Sequence, residues 1–216
     1  MFSLKKLIGL EKEKKFRVAI FGSARVKNND VTYKRVRYLA NMLGKNNIDI
    51  VTGGGPGLMR AASEGHKIGS KNTGALSIGI GIKLPWEQKF SKTIEYKKQF
   101  NIFSQRLDEF MLLSNAVVVA PGGLGTLLEL FYTWQLVQVH HICHIPIILM
   151  GDTWSGLLKW IRKEPLRRKY LDKMDFNLVF HVKTPKQAMK IIEESHEHFV
   201  KGGRSFCYNY NKYKLK

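Results

Sequence analysis

The sequence predicts a doubly wound, mostly parallel α/β sheet in a single domain. Three observations carry this. Short apolar runs alternate with segments at helical spacing along almost the whole chain. The strand-like runs are continuously apolar, as in strands covered on both faces. Three glycine turns, Gly22-Ser23, Gly53-Gly54-Gly55 and Gly122-Gly123, fall at the carboxyl ends of such runs, where ligands bind in sheets of this class.

The elements follow in order. "FRVAIFGSAR" reads as a strand ending in Gly22-Ser23. "TYKRVRYLANMLGKN" places Val36, Leu39, Ala40 and Leu43 at helical spacing, with Gly44 as a stop signal. "IDIVTGGGPG" is a strand ending in glycines, and "GLMRAASEGHKIG" a helix closing on glycine. "ALSIGIGI" is a buried strand and "KLPWEQKFSK" a loop. "FNIFSQRLDEFMLLS" is a helix through Phe103, Leu107, Phe110 and Met111. Strand "AVVVA", a glycine turn and helix "LGTLLELFYTWQLVQV" come next. "IPIILMG" and "NLVFHV" are strands flanking helix "TWSGLLKWIRKEPL". The last helix, "TPKQAMKIIEESHEHFV", has Thr184 as N-cap and Pro185 at its first position. The expected organisation is an N-terminal arm over 1–15, one α/β domain over 16–200 and a basic tail over 201–216.

A chain of 216 residues, 44% hydrophobic and 25% charged, is large enough to bury a substantial core. Its apolar runs are short and broken, so no membrane span is expected. The first residues lack a long apolar stretch and a small-residue cleavage site, and read as an amphipathic arm rather than a signal peptide. Cys143 and Cys207 form no metal spacing and no disulfide framework, and are read as reduced thiols of a cytoplasmic protein. The net charge of +19 fits attraction to nucleotides, nucleic acid or anionic surfaces. The positive residues are scattered, however, and charge alone assigns no function.

Two motifs can hold an anion. In "TGGGPGLM", Gly53, Gly54, Gly55 and Gly57 let the backbone approach a ligand, and Met59 lies in the first turn of a helix whose N-terminus favours negative charge. Its spacing fits neither the dinucleotide fingerprint nor the P-loop. In "PGGLGT", Gly122, Gly123 and Gly125 leave backbone N–H groups unshielded, and Thr126 adds a hydroxyl. Several donors without intervening side chains suit a phosphate monoester, each charge-assisted hydrogen bond contributing roughly 1.5–3 kcal/mol.

Glu129 follows three residues after Thr126. The simplest reading is a capping box, with Thr126 as N-cap and Glu129 at N3. The competing one is a carboxylate on the cleft wall that binds sugar hydroxyls or stabilises positive charge. Arg106, on the helix feeding the strand before "PGGLGT", is the second chemical candidate. Its sequence neighbours Asp108 and Glu109 are not at the favoured ion-pair spacing. The histidines of "HHICH" lack the carboxylate or CxxC partner that a metal site needs. No Gly-x-Ser-x-Gly elbow marks a serine hydrolase. No metal and no cofactor is called for.

"FGSAR", "TGGGPGLM", "LPWEQ", "FSQR" and "PGGLGTLLEL", in this order, resemble the Lonely Guy family, Rossmann-like proteins often mislabelled lysine decarboxylases. Both signature motifs, "GGGxxGxM" and "PGGxGTxxE", are complete from Gly53 to Met59 and from Pro121 to Glu129. The resemblance implies a phosphoribohydrolase that cleaves the N-glycosidic bond of a nucleoside 5′-monophosphate such as AMP or a cytokinin riboside monophosphate. It implies Arg106 and Glu129 as the catalytic pair. The substrate-binding set is then Ser23, Gly53, Gly54, Gly55, Gly57, Met59, Gly122, Gly123, Gly125 and Thr126. A homodimer whose cleft borrows residues from the partner is also implied. The chain departs from the family at Leu107, where a lysine usually follows the arginine, at Ala24 and at Leu124. The decarboxylase label has no support in the residues, since no lysine sits in a frame for pyridoxal phosphate. Two alternatives stay open from sequence: a nucleotide-binding module without catalysis, and a nucleic-acid binder on a related core.

Overall fold

The structure is a computed structural model that describes residues 15–85 and 89–202. Almost all of the arm, all but two residues of the tail with Cys207, and Trp86, Glu87 and Gln88 of "LPWEQ" lie outside the described residues.

Seven strands form one all-parallel sheet: β1 (Arg17–Phe21), β2 (Asp49–Thr52), β3 (Ser77–Ile82), β4 (Tyr96–Phe100), β5 (Ala116–Val119), β6 (Ile147–Met150) and β7 (Val179–Val182). Their order is β4-β3-β2-β1-β5-β6-β7. The chain therefore builds outward from β1 to the β4 edge, then returns to lay β5 on the other side of β1. That return is the topological switch point, and a crevice opens there at the carboxyl ends. Val18 to Phe21 pair in register with Ala116 to Val119.

Side chains alternate across the sheet, because successive Cβ atoms in a strand point to opposite faces. Val18 and Ile20 of β1 enter one core with Ile50, Val118 and Ile148. Ala19 and Phe21 enter the other with Val51, Ile80, Val119 and Leu149. The first core is closed by helices α1 (Val31–Lys45), α2 (Leu58–Gly69) and α7 (Pro185–Gly202). The second is closed by α3 (Phe103–Leu113), α4 (Leu124–Gln138) and α5 (Trp154–Ile161). With helices on both faces the sheet is doubly wound, as the continuous apolar runs predict.

Local signals place the helix ends. Asp30 caps α1 by accepting the Thr32 N–H at 2.6 Å. Thr184 caps α7: its hydroxyl accepts the Gln187 N–H at 3.3 Å, and the Gln187 amide oxygen accepts the Thr184 N–H at 3.0 Å. Helices α1 and α2 meet backbone to backbone. A Cβ on Gly65 would sit 1.9 Å from the Arg37 carbonyl oxygen, one on Gly69 2.1 Å from that of Asn41, and one on Gly44 2.7 Å from that of His66.

Three features depart from the sequence reading. Strand β4 is absent from it, because Tyr96-Lys97-Lys98-Gln99-Phe100 is a polar edge strand paired on one side only, to β3. The helix expected over "TWSGLLKWIRKEPL" is α5 up to Ile161 followed by a π-turn over Arg162–Leu166 containing Pro165. A four-residue helix, α6 (Lys173–Phe176), then precedes β7. Cys143 is buried and disulfide-bonded, so its reading as a reduced thiol is corrected.

Candidate active site

The three glycine turns converge at the switch point and are stitched to one another. The Ser23 N–H donates to the Pro121 carbonyl at 3.1 Å, and the Leu58 N–H donates to the Ser23 carbonyl at 2.9 Å. Gly57, the N-cap of α2, has φ +65°, and a Cβ there would lie 2.3 Å from the Ser23 carbonyl oxygen. Only glycine lets the β1 turn dock on this helix end. Between the turns lies a cavity of about 500 Å³. Of the sequence-predicted residues, Ser23, Gly53, Met59, Arg106, Gly123, Gly125, Thr126 and Glu129 line it.

Gly54 and Gly55 instead line a smaller annex of about 60 Å³, which shares Gly53, Met59 and Arg106 with the main cavity. Phe90 walls this annex, its ring lying over Gly54, Gly79 and Gly81. Gly122 sits behind the cavity, where a Cβ would strike the Thr126 hydroxyl at 2.1 Å. Gly57 supports the turn without lining either space.

Helix α4 begins at Leu124, with Gly123 as its N-cap. The first intrahelical bond runs from the Leu127 N–H to the Gly123 carbonyl, so the N–H groups of Leu124, Gly125 and Thr126 precede the ladder at the cavity. This overturns the capping box. Thr126 is the third helical residue rather than the cap, and Glu129 lies a turn further on, too far to reach the cap backbone. Positions Gly123 and Gly125 face open space, with nothing within 4 Å of a Cβ built on either.

Glu129 is paired instead with Arg106. The guanidinium Nη1 is 3.0 Å from Oε1 of Glu129, and both side chains are about nine-tenths buried. Arg106 is fixed from three sides. Its Nε–H donates to the Ile80 carbonyl at 2.9 Å, and its guanidinium lies over the Phe110 ring, 5.0 Å from the centroid. A Cβ on Gly53 would lie 2.8 Å from Nη2, so the bare glycine leaves room for the arginine. Neither sequence neighbour competes for it. Asp108 accepts from the Tyr132 hydroxyl, and Glu109 pairs with Lys98 at 2.7 Å. Burial pushes the Glu129 carboxyl above its ordinary range, and the Arg106 charge opposes that shift. Leu107, where the family usually has lysine, is buried and does not line the cavity.

Six lining residues lie outside the sequence-predicted set: Ile20, Phe21, Gly22, Ala24, Arg25 and Leu124. Arg25, the last residue of "FGSAR", reaches the cavity from the β1 turn. Its position two residues after Ser23 was the available signal, diluted among 36 basic residues. Leu124 lines the mouth and is 87% exposed. Elsewhere, His140 and His144 of "HHICH" face each other at 2.8 Å on an exposed loop. No group of three or more His, Cys, Asp or Glu is placed to hold a metal ion among the described residues. No helix among them is long and apolar enough to cross a membrane.

Comparison with known proteins gives the chain a family. The family model described as "Possible lysine decarboxylase" matches residues 59–192. A cytokinin riboside 5′-monophosphate phosphoribohydrolase of Arabidopsis thaliana is 28% identical over 190 residues, 86% of this chain and 85% of the relative. A pyrimidine/purine nucleotide 5′-monophosphate nucleosidase of Escherichia coli is 28% identical over 149 residues; the match covers 64% of this chain but only 32% of that longer protein. Among solved structures, a molybdenum cofactor binding protein from Rippkaea orientalis superposes with a TM-score of 0.64 at 21% identity, over 83% of this chain and 96% of that one. The single-stranded-DNA-binding DNA processing protein A of Helicobacter pylori superposes at 0.53 with 18% identity, over 86% of this chain and 83% of that one. At these identities the two structures share the fold and carry no activity across. The family match takes in α2 from Met59, the arginine helix and the Gly122-Gly123 turn, and on it the chain belongs to the family described as possible lysine decarboxylase, the Lonely Guy family.

Proposed function

We propose that the protein hydrolyses the N-glycosidic bond of a nucleoside 5′-monophosphate, of the AMP or cytokinin riboside monophosphate type, to free base and ribose 5-phosphate. The observation that carries this is the Arg106–Glu129 pair, held at 3.0 Å on the wall of a cavity whose other wall is a ring of glycine turns. The names of the relatives support the same bond class.

The "PGGLGT" turn and the start of α4 seat the 5′-phosphate, with the N–H groups of Gly125 and Thr126 and the Thr126 hydroxyl as donors. Binding energy from this non-reacting group fixes the sugar over Glu129. The ionised Glu129 holds the ribose hydroxyls and stabilises the positive charge that develops as the bond to the base lengthens. It also orients the water that adds to the anomeric carbon. One proton of that water is released and the base departs protonated, which balances the reaction. Arg106 has two tasks here. Its charge favours the ionised form of a carboxylate that burial drives toward protonation, and its remaining donors are available to the substrate. Leu107 lies out of the cavity, so the loss of the usual lysine leaves this arrangement intact.

The exposed apolar residues Leu124, Leu128 and Phe131 lie along one side of α4 from the cavity mouth. They fit a homodimer in which the partner borders the cleft. Light scattering of the pure protein tests the dimer. The activity is tested by incubating the protein with AMP and a panel of nucleoside monophosphates and separating the products. Release of base and ribose 5-phosphate, lost in Glu129→Gln, is the expected result. A variant with wild-type turnover removes Glu129 from the mechanism, and no cleavage of any nucleotide removes the reaction.

A further inference from the structure

A charge count across the cavity leaves one group unexplained. Arg106 and Glu129 cancel each other at 3.0 Å, so the pair offers no net positive charge to a phosphate. A phosphate monoester carries about −1.5 to −2 near neutral pH. The N-terminus of α4 offers roughly half a positive charge. The cavity as described so far is therefore short of cation.

Arg25 is the other arginine on the cavity wall. It is exposed and makes no ion pair among the described residues. The nearest acid in sequence, Asp30, is occupied as the N-cap of α1. Its backbone is not free to wander. The Arg25 N–H donates to the Ser23 hydroxyl at 3.1 Å, while Ser23 is tied to Pro121 on one side and Leu58 on the other. The turn that carries Arg25 is thus bonded directly to the first residue of "PGGLGT". A fixed backbone with an unengaged guanidinium beside a donor-rich turn suits bidentate recognition of a phosphate.

We infer that Arg25 is the residue that binds the phosphate of the substrate and makes the site select phosphorylated ribosides over unphosphorylated ones. The inference rests on the reading of the glycine turn as a phosphate seat. It assigns the charge recognition to the β1 turn and leaves Arg106 to the carboxylate.

The test is calorimetric titration of the full chain with ribose 5-phosphate and with ribose, comparing wild type, Arg25→Ala and Arg25→Lys. Hydrolysis of AMP and adenosine is measured in parallel. Arg25→Ala is expected to weaken ribose 5-phosphate binding about 10- to 100-fold, the loss of one charge-assisted contact, and to raise KM for AMP by a similar factor. Ribose binding and adenosine hydrolysis should not follow. Arg25→Lys should recover part of the affinity, because the charge remains without the fork. Arg25→Ala binding ribose 5-phosphate within two-fold of wild type overturns the inference. So does an equal loss for ribose, which would mark a structural role. If wild type cleaves no nucleotide yet binds ribose 5-phosphate through Arg25, the proposed reaction falls and this assignment stands. If AMP is cleaved normally and Arg25→Ala changes neither binding nor KM, this assignment falls and the proposed reaction stands. A wild type that binds no ribose 5-phosphate overturns this assignment, and the proposed reaction then stands or falls on AMP cleavage alone.

Discussion

Two buried arginine–carboxylate pairs sit at opposite ends of the sheet. At the amino end, Arg17 of β1 faces Asp49 of β2 at 3.4 Å, with side chains 4% and 1% exposed. At the carboxyl end, Arg106 of α3 faces Glu129 of α4 at 3.0 Å. Burial raises the pKa of both carboxyls, and in both the arginine works against the shift. Only their surroundings differ. Asp49 also accepts the Leu76 N–H at 2.8 Å, and so ties β1, β2 and the start of β3 together, and it does not line the glycine-turn cavity. Glu129 has a cavity on one side. An ion pair with a perturbed carboxylate is therefore not a site by itself; access to a ligand makes it one.

The comparison breaks first, and by the largest effect, at Glu129. Glu129→Gln should lower kcat on a nucleoside monophosphate by about 10²–10⁴-fold, the range for losing one positioned carboxylate, while circular dichroism shows the fold kept. Asp49→Ala should do the reverse. It removes the buried carboxylate that accepts the Leu76 N–H and faces Arg17, at a cost of about 1–3 kcal/mol read by urea unfolding, with kcat per folded molecule unchanged. If Asp49→Ala lowers kcat and spares stability, the division between the two ends is wrong.

Gly57→Ala is a milder probe of the carboxyl end alone. The strain at a positive φ costs about 1–3 kcal/mol, and displacing the Ser23 turn should raise KM for the nucleotide more than it lowers the melting temperature. The pH profile sharpens the picture further. If the ionised Glu129 is the working form, kcat/KM should rise with pH through an inflection above the ordinary 4.5, because the folded pKa is raised. The same shift has a sign for stability. The folded state holds that proton more tightly, so Glu129 and Asp49 reduce stability as pH rises from the unfolded to the folded pKa.

His66 gives the opposite and smallest effect. It is fully buried, and Nε2 lies 2.9 Å from the Ile48 carbonyl. Burial holds its pKa below 6.5. The unfolded chain therefore takes up the proton first, and stability should decline as pH falls below about 6.5. Thermal melts from pH 7 to 5 check this, and a flat line would show His66 protonating in place.

The sheet, its two-sided covering and the meeting of three turns were legible because they rest on local patterns: apolar runs, glycines and helix spacing. The Thr184 cap was legible for the same reason. What was not legible depends on partners distant in sequence. Arg106 finds Glu129 across 23 positions, beyond any helical spacing rule. The capping box failed because the helix starts at Leu124, and a glycine-rich turn does not show from sequence where its helix begins. Strand β4 was hidden by its lysines, which an edge position tolerates. Arg25 could be read only once the turn holding it was seen against the cavity.

The contact between α1 and α2 has a consequence for how this fold diversifies. Where two helices touch through hydrogen atoms of Gly44, Gly65 and Gly69, no rotamer can absorb a new side chain. Neutral drift, which reshapes ordinary cores one methyl group at a time, finds no first step here. Change is diverted to the outer faces of both helices and to the loops, while the aim of the α2 N-terminus toward the cleft is inherited intact. The scaffold can thus exchange the groups around its pocket without re-surveying where the pocket lies.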